Sequence, residues 1–446
     1  MTGRESIAAI ATAAGRGGIG IVRVSGTSIE AIVHGIVGRV PLPRKAQRAA
    51  FLDARRGVID EGVVLYFPRP HSYTGEDVLE LHGHGGPIVL REILNRCVEL
   101  GARLARPGEF TERAYLNGKL DLAQAESVAD LIDATTAAAA RSALRSLQGA
   151  FSGEVEALAH AVMELRMVVE ATLDFPEEEI DVLSQSELSG RLSVLRSRVE
   201  RVFEAARQGS LLRSGIQVVL AGQPNVGKSS LLNILAGEDL AIVTDIPGTT
   251  RDLIRQTINL EGVPAHIFDT AGLRESRDPV EMAGMDRAWK AIEKGDVVVL
   301  LMDARQGETV EDRNILQRLP QALPVVRVMN KIDLLAGQAA RESTDGGRTL
   351  WLSARTGAGI ELLRHALLEI VGWQADGEGI YMARERHLEA LSKVRSHLIQ
   401  AESVRTNLEL LAEELRLSQG ALASITGRVT SDDLLGEIFS RFCIGK

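Results

Sequence analysis

The run Ala221-Gly222-Gln223-Pro224-Asn225-Val226-Gly227-Lys228-Ser229-Ser230 spaces glycines, a lysine and a hydroxyl in a way that suits one task, the wrapping of a phosphate chain. Gly222 and Gly227 let the backbone curl so that successive N–H groups face inward, an arrangement that binds anionic oxygens. In such a G-x-x-x-x-G-K-S loop the lysine, Lys228, reaches the β- and γ-phosphates and the Ser229 hydroxyl ligates Mg2+. The elements that must hold the loop lie on either side. Ile216-Gln217-Val218-Val219-Leu220 reads as a buried strand entering it. Ser230-Leu231-Leu232-Asn233-Ile234-Leu235 reads as a helix leaving it, with its N-terminus aimed at the anion. A glycine-rich turn arising by chance would lack both flanks.

Three further strings follow in order, and each ends a predicted strand or lies between two. Ile267-Phe268-Asp269-Thr270-Ala271-Gly272 closes an apolar run with D-x-x-G. There Asp269 would hold Mg2+ through water and the Gly272 N–H would sense the γ-phosphate. The strand Val325-Val326-Arg327-Val328-Met329 runs into Asn330-Lys331-Ile332-Asp333. The Asp333 carboxylate can accept two hydrogen bonds from a guanine edge. Adenine cannot supply them, and a buried carboxylate left unpaired rejects it. Leu350-Trp351-Leu352 leads into Ser353-Ala354-Arg355, a loop placed to line the base. Between the first two strings, Gly248-Thr249-Thr250-Arg251-Asp252 offers Thr250 as a second Mg2+ ligand. The predicted GTP/GDP site is therefore 225–230, 244–250, 269–272, Asn330, Lys331, Asp333 and 353–355.

Leu273 follows the D-x-x-G string where Ras-like enzymes carry a water-orienting glutamine. Leucine cannot hydrogen-bond water, so alignment must come from elsewhere. Asn225 and the Thr244–Thr249 stretch could present oxygens to a monovalent cation beside the β/γ-phosphates, in the place of an arginine finger. Glu281 is the nearby carboxylate suited to positioning the water, and a solvated loop charge is the other reading of it.

The 446 residues allow two or three domains with full cores. Apolar content of 45% and charged content of 25% are those of a globular, non-membrane chain. Two cysteines, Cys97 and Cys443, fit a reducing, cytoplasmic setting and no disulfide framework. No signal segment and no membrane-spanning apolar run is present in the sequence. A net charge of −9 disfavours a broad nucleic-acid surface, so any RNA would be held by a local patch or by a partner.

Residues 1–118 are glycine-rich with short β-type runs at Ile7–Ala11, Ile19–Val24, Val63–Phe67 and Val78–Leu81, and with a helical segment over Gly86–Leu100, which predicts an α+β domain. From 119 long helices take over. Val155, Leu158, Val162, Leu165, Val169 and Leu173 form one apolar stripe, and Leu388, Leu391, Val394 and Leu398 restart the period. Helical segments on both sides of the nucleotide domain suggest one helical domain with that domain inserted, since domain termini usually lie close together. Two unrelated helical arms remain the other account.

Nearly the whole chain resembles one family, the tRNA modification GTPases MnmE/TrmE. The resemblance rests on Gly15-Arg16-Gly17-Gly18-Ile19-Gly20-Ile21-Val22-Arg23 and on Thr74-Gly75-Glu76-Asp77-Val78-Leu79-Glu80-Leu81-His82-Gly83-His84-Gly85-Gly86. It extends through Arg106-Pro107-Gly108-Glu109-Phe110-Thr111 and Asn117-Gly118-Lys119-Leu120-Asp121-Leu122-Ala123-Gln124-Ala125-Glu126. Asp245-Ile246-Pro247-Gly248-Thr249-Thr250-Arg251-Asp252 and the terminal Phe442-Cys443-Ile444-Gly445-Lys446 complete it.

The resemblance implies a multidomain α/β chain. Its parts are an α+β tetrahydrofolate-binding and dimerisation domain (1–118), an all-α helical domain in two pieces (119–213 and 372–446) and an inserted Ras-like P-loop G domain (214–371). It implies a homodimer that forms a heterotetramer with the FAD-bearing flavoprotein MnmG (GidA) and modifies C5 of the wobble uridine of certain tRNAs to carboxymethylaminomethyluridine. A tetrahydrofolate derivative (5,10-methylene- or 5-formyl-) supplies the one-carbon unit, and GTP hydrolysis depends on K+. Arg23, Glu80 and Lys119 match the folate-contacting positions, with Lys446 completing the site. Asn225, Thr244, Ile246 (through its carbonyl) and Thr249 match the K+ ligands, Ser229 and Thr250 the Mg2+ ligands, and Glu281 the water-orienting glutamate.

Cys443 reads either as a thiolate beside the folate or as a small hydrophobe anchoring the tail. Cys97 reads as core. His82 and His84 flank Gly83 at a spacing that suits metal, but with no further ligands they mark a tight backbone near the folate site. Ala14, where the family commonly has proline, and the polar, glycine-containing segment between Asp333 and Ser353, expected to be a surface loop, depart from the family strings. A regulatory or ribosome-assembly GTPase switch is the alternative function. It would need neither a folate domain nor the Cys443 tail.

Overall fold

The computed structural model describes residues 5–174, 185–238, 254–269, 292–293, 295–345, 347–374, 380–428, 432–440 and 442–445. The N-terminal part runs β1 (Ile7–Ile10), β2 (Gly17–Gly26), α1 (Glu30–Val37), β3 (Gln47–Leu52), β4 (Val58–Phe67), β5 (Asp77–Gly85), α2 (Pro87–Glu99), β6 (Arg103–Leu104) and α3 (Glu109–Leu116). Its six strands lie in the order β3-β4-β5-β2-β1-β6, antiparallel except for β1 beside β6. Strand alternation sorts the side chains. Val22, Val24, Leu79 and Leu81 pack with Ile32, Ile36, Ile93 and Cys97 of α1 and α2. Arg23 and Glu80, one residue along, belong to the opposite face, where they are register partners.

Helices α4 (Leu122–Asp133), α5 (Ala137–Leu147), α6 (Ala150–Asp174) and α7 (Gln185–Ser214) follow. The apolar stripe is buried in α6 at Val155, Leu158, Val162, Leu165 and Val169, as its three-and-four spacing requires. Next come β7 (Ile216–Gly222), α8 (Lys228–Glu238), β8 (Ile254–Leu260), β9 (Val263–Asp269), β10 (Val297–Asp303), α9 (Val310–Arg318), β11 (Val325–Asn330), β12 (Arg341–Ser343), β13 (Thr349–Trp351) and α10 (Ile360–Ile370). The sheet order is β12-β13-β11-β10-β7-β9-β8, parallel through its centre with an antiparallel strand at each edge. This is the Ras-like α/β architecture expected of the inserted domain. The segment between Asp333 and Ser353, expected as a surface loop, instead supplies the edge pair β12 and β13: Leu350 is buried, and Arg341 stacks over the Trp351 ring. Helices α11 (Glu385–Ser403), α12 (Leu408–Thr426) and α13 (Asp432–Ser440) complete the chain, with Leu391, Val394 and Leu398 buried on α11.

The described residues pack as two units. One comprises those within 1–129, 147–183 and 403–446, and the other those within 130–146 and 184–402. In the first, α6 is tied to α12 by Arg166 Nη1 donating to Gln419 Oε1 at 3.0 Å. In the second, the chain entering and leaving the parallel sheet is clamped. The buried Asp130 carboxylate accepts from Arg213 Nε at 2.9 Å and from Arg384 Nη2 at 2.8 Å. Gln208 Nε2 donates to the Gly372 carbonyl at 2.7 Å. Among the described residues no helix is long and apolar enough to cross a membrane.

Candidate functional sites

The parallel strands bring their C-terminal ends to one edge of the sheet, with β7 at the centre. In open α/β sheets a ligand binds outside such carboxyl ends, where strand order reverses. Leu301 of β10 pairs with Gly222, Leu220 with Asp269, and Asp303 with Asn330. The starts of three sequence strings, at Gly222, Asp269 and Asn330, more than a hundred residues apart from first to last, are thereby collected along one rim.

The loop from Gly222 to Gly227 turns through left-handed backbone at three points, Gly222 (φ 137°), Asn225 (φ 63°) and Gly227 (φ 107°). A side chain at Gly227 would put Cβ 2.3 Å from Asn330 Nδ2, and one at Gly222 would meet the Leu301 carbonyl at 2.3 Å. The cradle therefore depends on glycine for space as well as for backbone angle. The Leu231 N–H is taken by the Gly227 carbonyl, so helical pairing starts there. The amides of Lys228, Ser229 and Ser230 begin α8, where amides lack intrahelical partners and favour an anion. Lys228 Nζ stands inside the loop, donating to the Gly222 carbonyl at 2.6 Å and the Gln223 carbonyl at 3.3 Å.

The base-reading strings close around the loop. Buried Asn330 donates to the Val226 carbonyl at 2.8 Å and accepts from the Ala354 N–H at 2.9 Å, bracing three strings at once. Lys331, itself at φ 70°, donates to the Asn225 carbonyl at 2.6 Å. Ser353 Oγ donates to Asp333 Oδ1 at 2.7 Å and accepts from the Arg355 and Thr356 N–H groups, which orients the Asp333 carboxylate. Asp303 is a residue that sequence reading missed. It ends β10 and takes Lys331 Nζ at 2.9 Å and Arg305 Nη2 at 2.6 Å. Hydrogen bonds from Arg305 first, then from Lys331, hold its carboxyl far below the usual carboxylate range. A carboxylate closing the run Val297–Asp303 was the available signal, because strand ends in such sheets face the ligand. Gln223 was also missed. Its Nε2 donates to Thr309 Oγ1 at 2.7 Å and so ties the loop to the capped start of α9.

Residues Thr244 to Thr250, Thr270 to Gly272, Leu273, Glu281 and Lys446 lie outside the described residues, as does the side chain of Asp269. The proposed K+ ligands other than Asn225, the second Mg2+ ligand and the water-orienting glutamate are therefore among them. Ser229 is exposed on the first turn of α8.

A second constellation lies in the other unit, on the sheet face away from α1 and α2. Arg23 Nε and Nη2 both reach Glu80 Oε1 at 2.9 Å, and His82 Nε2 lies 3.1 Å from Glu80 Oε2. The Arg23 guanidinium is 5.7 Å from the ring centres of Tyr73 and Phe110, within cation–π range. Tyr73 is fixed by Thr111 Oγ1 at 2.8 Å, and burial raises the pKa of its phenol. The C-terminal segment reaches this face. Arg23 Nη1 donates to the Gly445 carbonyl at 3.3 Å, the Gly108 N–H donates to the Cys443 carbonyl at 3.3 Å, and Phe442 is buried with Phe439 and Leu122. Arg23, Glu80 and the Gly445 carbonyl are thus brought together, while Lys446 lies outside the described residues.

Lys119 does not join the pair directly. Its Nζ donates to the Pro70 carbonyl at 3.1 Å, in the loop that carries Tyr73. Cys443 is exposed, so Phe442 and not the thiol anchors the tail. Cys97 is core, and burial pushes its thiol up to about 12. His82 and His84 have separate carboxylate partners, Glu80 and Asp60.

Comparison with known proteins gives the family of the whole chain. Residues 6–119 match the family model for the GTP-binding protein TrmE N-terminus, and residues 122–443 match that for the MnmE helical domain. The tRNA modification GTPase MnmE of Nitrosomonas europaea is 60% identical over 451 residues, covering 100% of both chains. The protein of the same name from Thiobacillus denitrificans is 58% identical over 442 residues, covering 99% of this chain and 98% of its own. Among solved structures, a variant of Aquifex aeolicus Era bound to GDP.AlF4- aligns at 25% identity with a TM-score of 0.29, over 41% of this chain and 66% of that one. The chain belongs to the MnmE family of tRNA modification GTPases.

Proposed function

We propose that this chain is a K+-dependent GTP hydrolase that works with the flavoprotein MnmG (GidA) and a tetrahydrofolate one-carbon unit to modify C5 of the wobble uridine of certain tRNAs. The observation that carries the reading is the pairing of two built sites in one chain. One is a phosphate loop braced by Asn330 and Lys331, and the other is the Arg23–Glu80 pair closed over by the C-terminal segment. A GTPase switch acting on a ribosome would have no use for the second.

In the nucleotide site, the loop amides, Lys228 and Ser229 bind and orient the phosphates and Mg2+, and Asp333 reads guanine while Ser353 holds its carboxylate in place. Bound Mg2+ and K+ supply charge neutralisation at the transferring phosphoryl group. Asn225, Thr244, Ile246 and Thr249 would hold K+, Thr250 would join Ser229 on Mg2+, and Glu281 would orient the water. In the other site, Glu80 offers an acceptor edge to the pterin amide. Arg23 orients Glu80 through paired N–H groups and can meet an anionic tail. Lys119 and Lys446 would complete the site, and Cys443 stands exposed beside it. The domains would fall at 1–118, 119–213 with 372–446, and 214–371, the first mediating a homodimer.

Two measurements test this. Turnover of GTP in K+ should exceed that in Na+ by at least tenfold at equal ionic strength, and equal rates would remove the cation from the mechanism. Affinity for 5-formyltetrahydrofolate should collapse in Glu80→Ala. Binding that is unchanged would remove the folate from this face.

A further inference from the structure

The chain carries a net charge of −9, yet residues 38–57 hold six cations, Arg39, Arg44, Lys45, Arg48, Arg55 and Arg56, against a single carboxylate, Asp53. The structure makes this stretch one surface. Arg39 follows α1, Lys45 and Arg48 flank and begin β3, the edge strand of the six-stranded sheet, and Arg55 and Arg56 form the turn into β4. All six cations are exposed. The turn is rigid. Asp53 Oδ1 accepts from the Arg55 N–H at 2.8 Å and the Gly57 N–H at 2.7 Å, and Arg56 is fixed at φ 68°. Asp53 is thereby committed to backbone amides. Gly38, at the end of α1, is the point where the two ends of the stretch meet, since a Cβ there would lie 3.9 Å from Arg56 Nη1.

Two of the cations are engaged. Arg44 Nη2 donates to the His71 carbonyl at 2.9 Å, and Arg48 pairs with Glu61. Arg39, Lys45, Arg55 and Arg56 have no ion pair or side-chain hydrogen bond among the described residues. Charge on an edge strand deters addition of another strand, which accounts for Lys45 and Arg48. It does not account for Arg39, Arg55 and Arg56, which stand in the flanking turns. Exposed Val40 (48%) and Leu42 (58%) lie between the cations, so the strip combines charge with apolar contact area.

We infer that this basic edge is where the RNA substrate's phosphate backbone docks. A polyanion is the occupant whose charge matches four exposed cations without partners among the described residues, on an otherwise acidic chain. A second copy of the chain is disfavoured, because like-charged strips would face each other across a two-fold axis. The inference rests on tRNA being the substrate, and it places on this chain a contact that the nucleotide site cannot make.

The test uses the full chain and an unmodified tRNA transcript, with affinity measured across a salt series. The variant combines Arg39→Gln, Lys45→Gln, Arg55→Gln and Arg56→Asn, the last chosen because asparagine tolerates left-handed backbone. Each phosphate contact adds roughly 0.7–0.9 to the slope of log affinity against log salt. The four-site variant should therefore bind at least about tenfold more weakly, with a slope shallower by roughly 3, while GTP turnover is unchanged. Arg416→Gln with Arg428→Gln, two surface arginines already paired with Glu413 and Glu156, should leave both quantities as in the wild type. Unchanged tRNA affinity and slope in the four-site variant would overturn the inference, as would a wild-type chain that shows no salt-dependent tRNA binding. Loss of flavoprotein binding with tRNA affinity intact would assign the strip to a protein partner and overturn it equally. Nucleoside analysis of cells lacking the protein tests the substrate reading separately.

Discussion

Gly227 and Asp333 show how much of the nucleotide site depends on single atoms. Gly227→Ala adds a methyl group 2.3 Å from Asn330 Nδ2 at a backbone angle of 107°. Asn330 must then release the Val226 carbonyl or the Ala354 amide. Left-handed strain alone costs about 1–2 kcal/mol, so nucleotide affinity should fall at least tenfold by equilibrium titration. Wild-type affinity in Gly227→Ala would mean that the loop is not the cradle. Asp333→Asn reverses one hydrogen bond of the base-reading pair, presenting N–H where the guanine amino group needs an acceptor. GTP affinity should drop by roughly two orders of magnitude or more. A xanthine nucleotide, which has a carbonyl at that position, should recover it, and competition titration with the two nucleotides decides. Glu80 is the matching residue of the other site, with one oxygen on Arg23 and the other facing His82.

At the level of elements, the local pattern was legible and the long-range pairing was not. The buried runs at Ile216, Val325 and Val78 became β7, β11 and β5, and the stripe from Val155 became α6, because period and burial are written into adjacent residues. The phosphate loop was legible for the same reason. The Arg23–Glu80 pair was not, since its partners are 57 positions apart and meet only through the register of β2 and β5. Only the family resemblance pointed to it. The edge strand β12 escaped notice because Arg341–Ser343 is short, polar and mostly exposed and carries no periodic signal. The buried charges around α3 escaped in the same way. Arg113 Nη1 reaches Glu76 Oε2 at 2.9 Å and its Nη2 reaches Glu109 Oε1 at 3.0 Å, while Arg103 closes on Glu109 from β6. Burial would raise the Glu109 carboxyl, yet hydrogen bonds from Arg103, the Arg106 N–H and Arg113 hold it at about 2. A pKa lowered on folding stabilises above the unfolded value and is lost as pH falls through the folded one. This contribution, on the order of 3 kcal/mol, should therefore be present above about pH 4.5 and fade toward pH 2. Thermal melts of Glu109→Gln should start lower at neutral pH and lose that part of the acid dependence. An unaltered acid limb would show that Glu109 is not the group responsible.

For the whole molecule, one chain carries a nucleotide site at the rim of a parallel sheet and the Arg23–Glu80 constellation on a six-stranded mixed sheet, where the C-terminal segment reaches Arg23. Asp130, gripping Arg213 and Arg384, ties the chain that enters the parallel sheet to the chain that leaves it. If the two sites serve one reaction, neither is dispensable in the cell. Asp333→Ala and Glu80→Ala should each abolish the modification, although one disables a GTP site and the other leaves GTP turnover intact.

Mass spectrometry of tRNA nucleosides tests this most directly, using cells that lack the protein and are complemented with the wild type, Asp333→Ala or Glu80→Ala. The account predicts that C5-aminomethyl-type wobble uridine disappears in the deletion, returns with the wild type and stays absent with either variant. Full modification in the deletion, or rescue by Glu80→Ala, would contradict it.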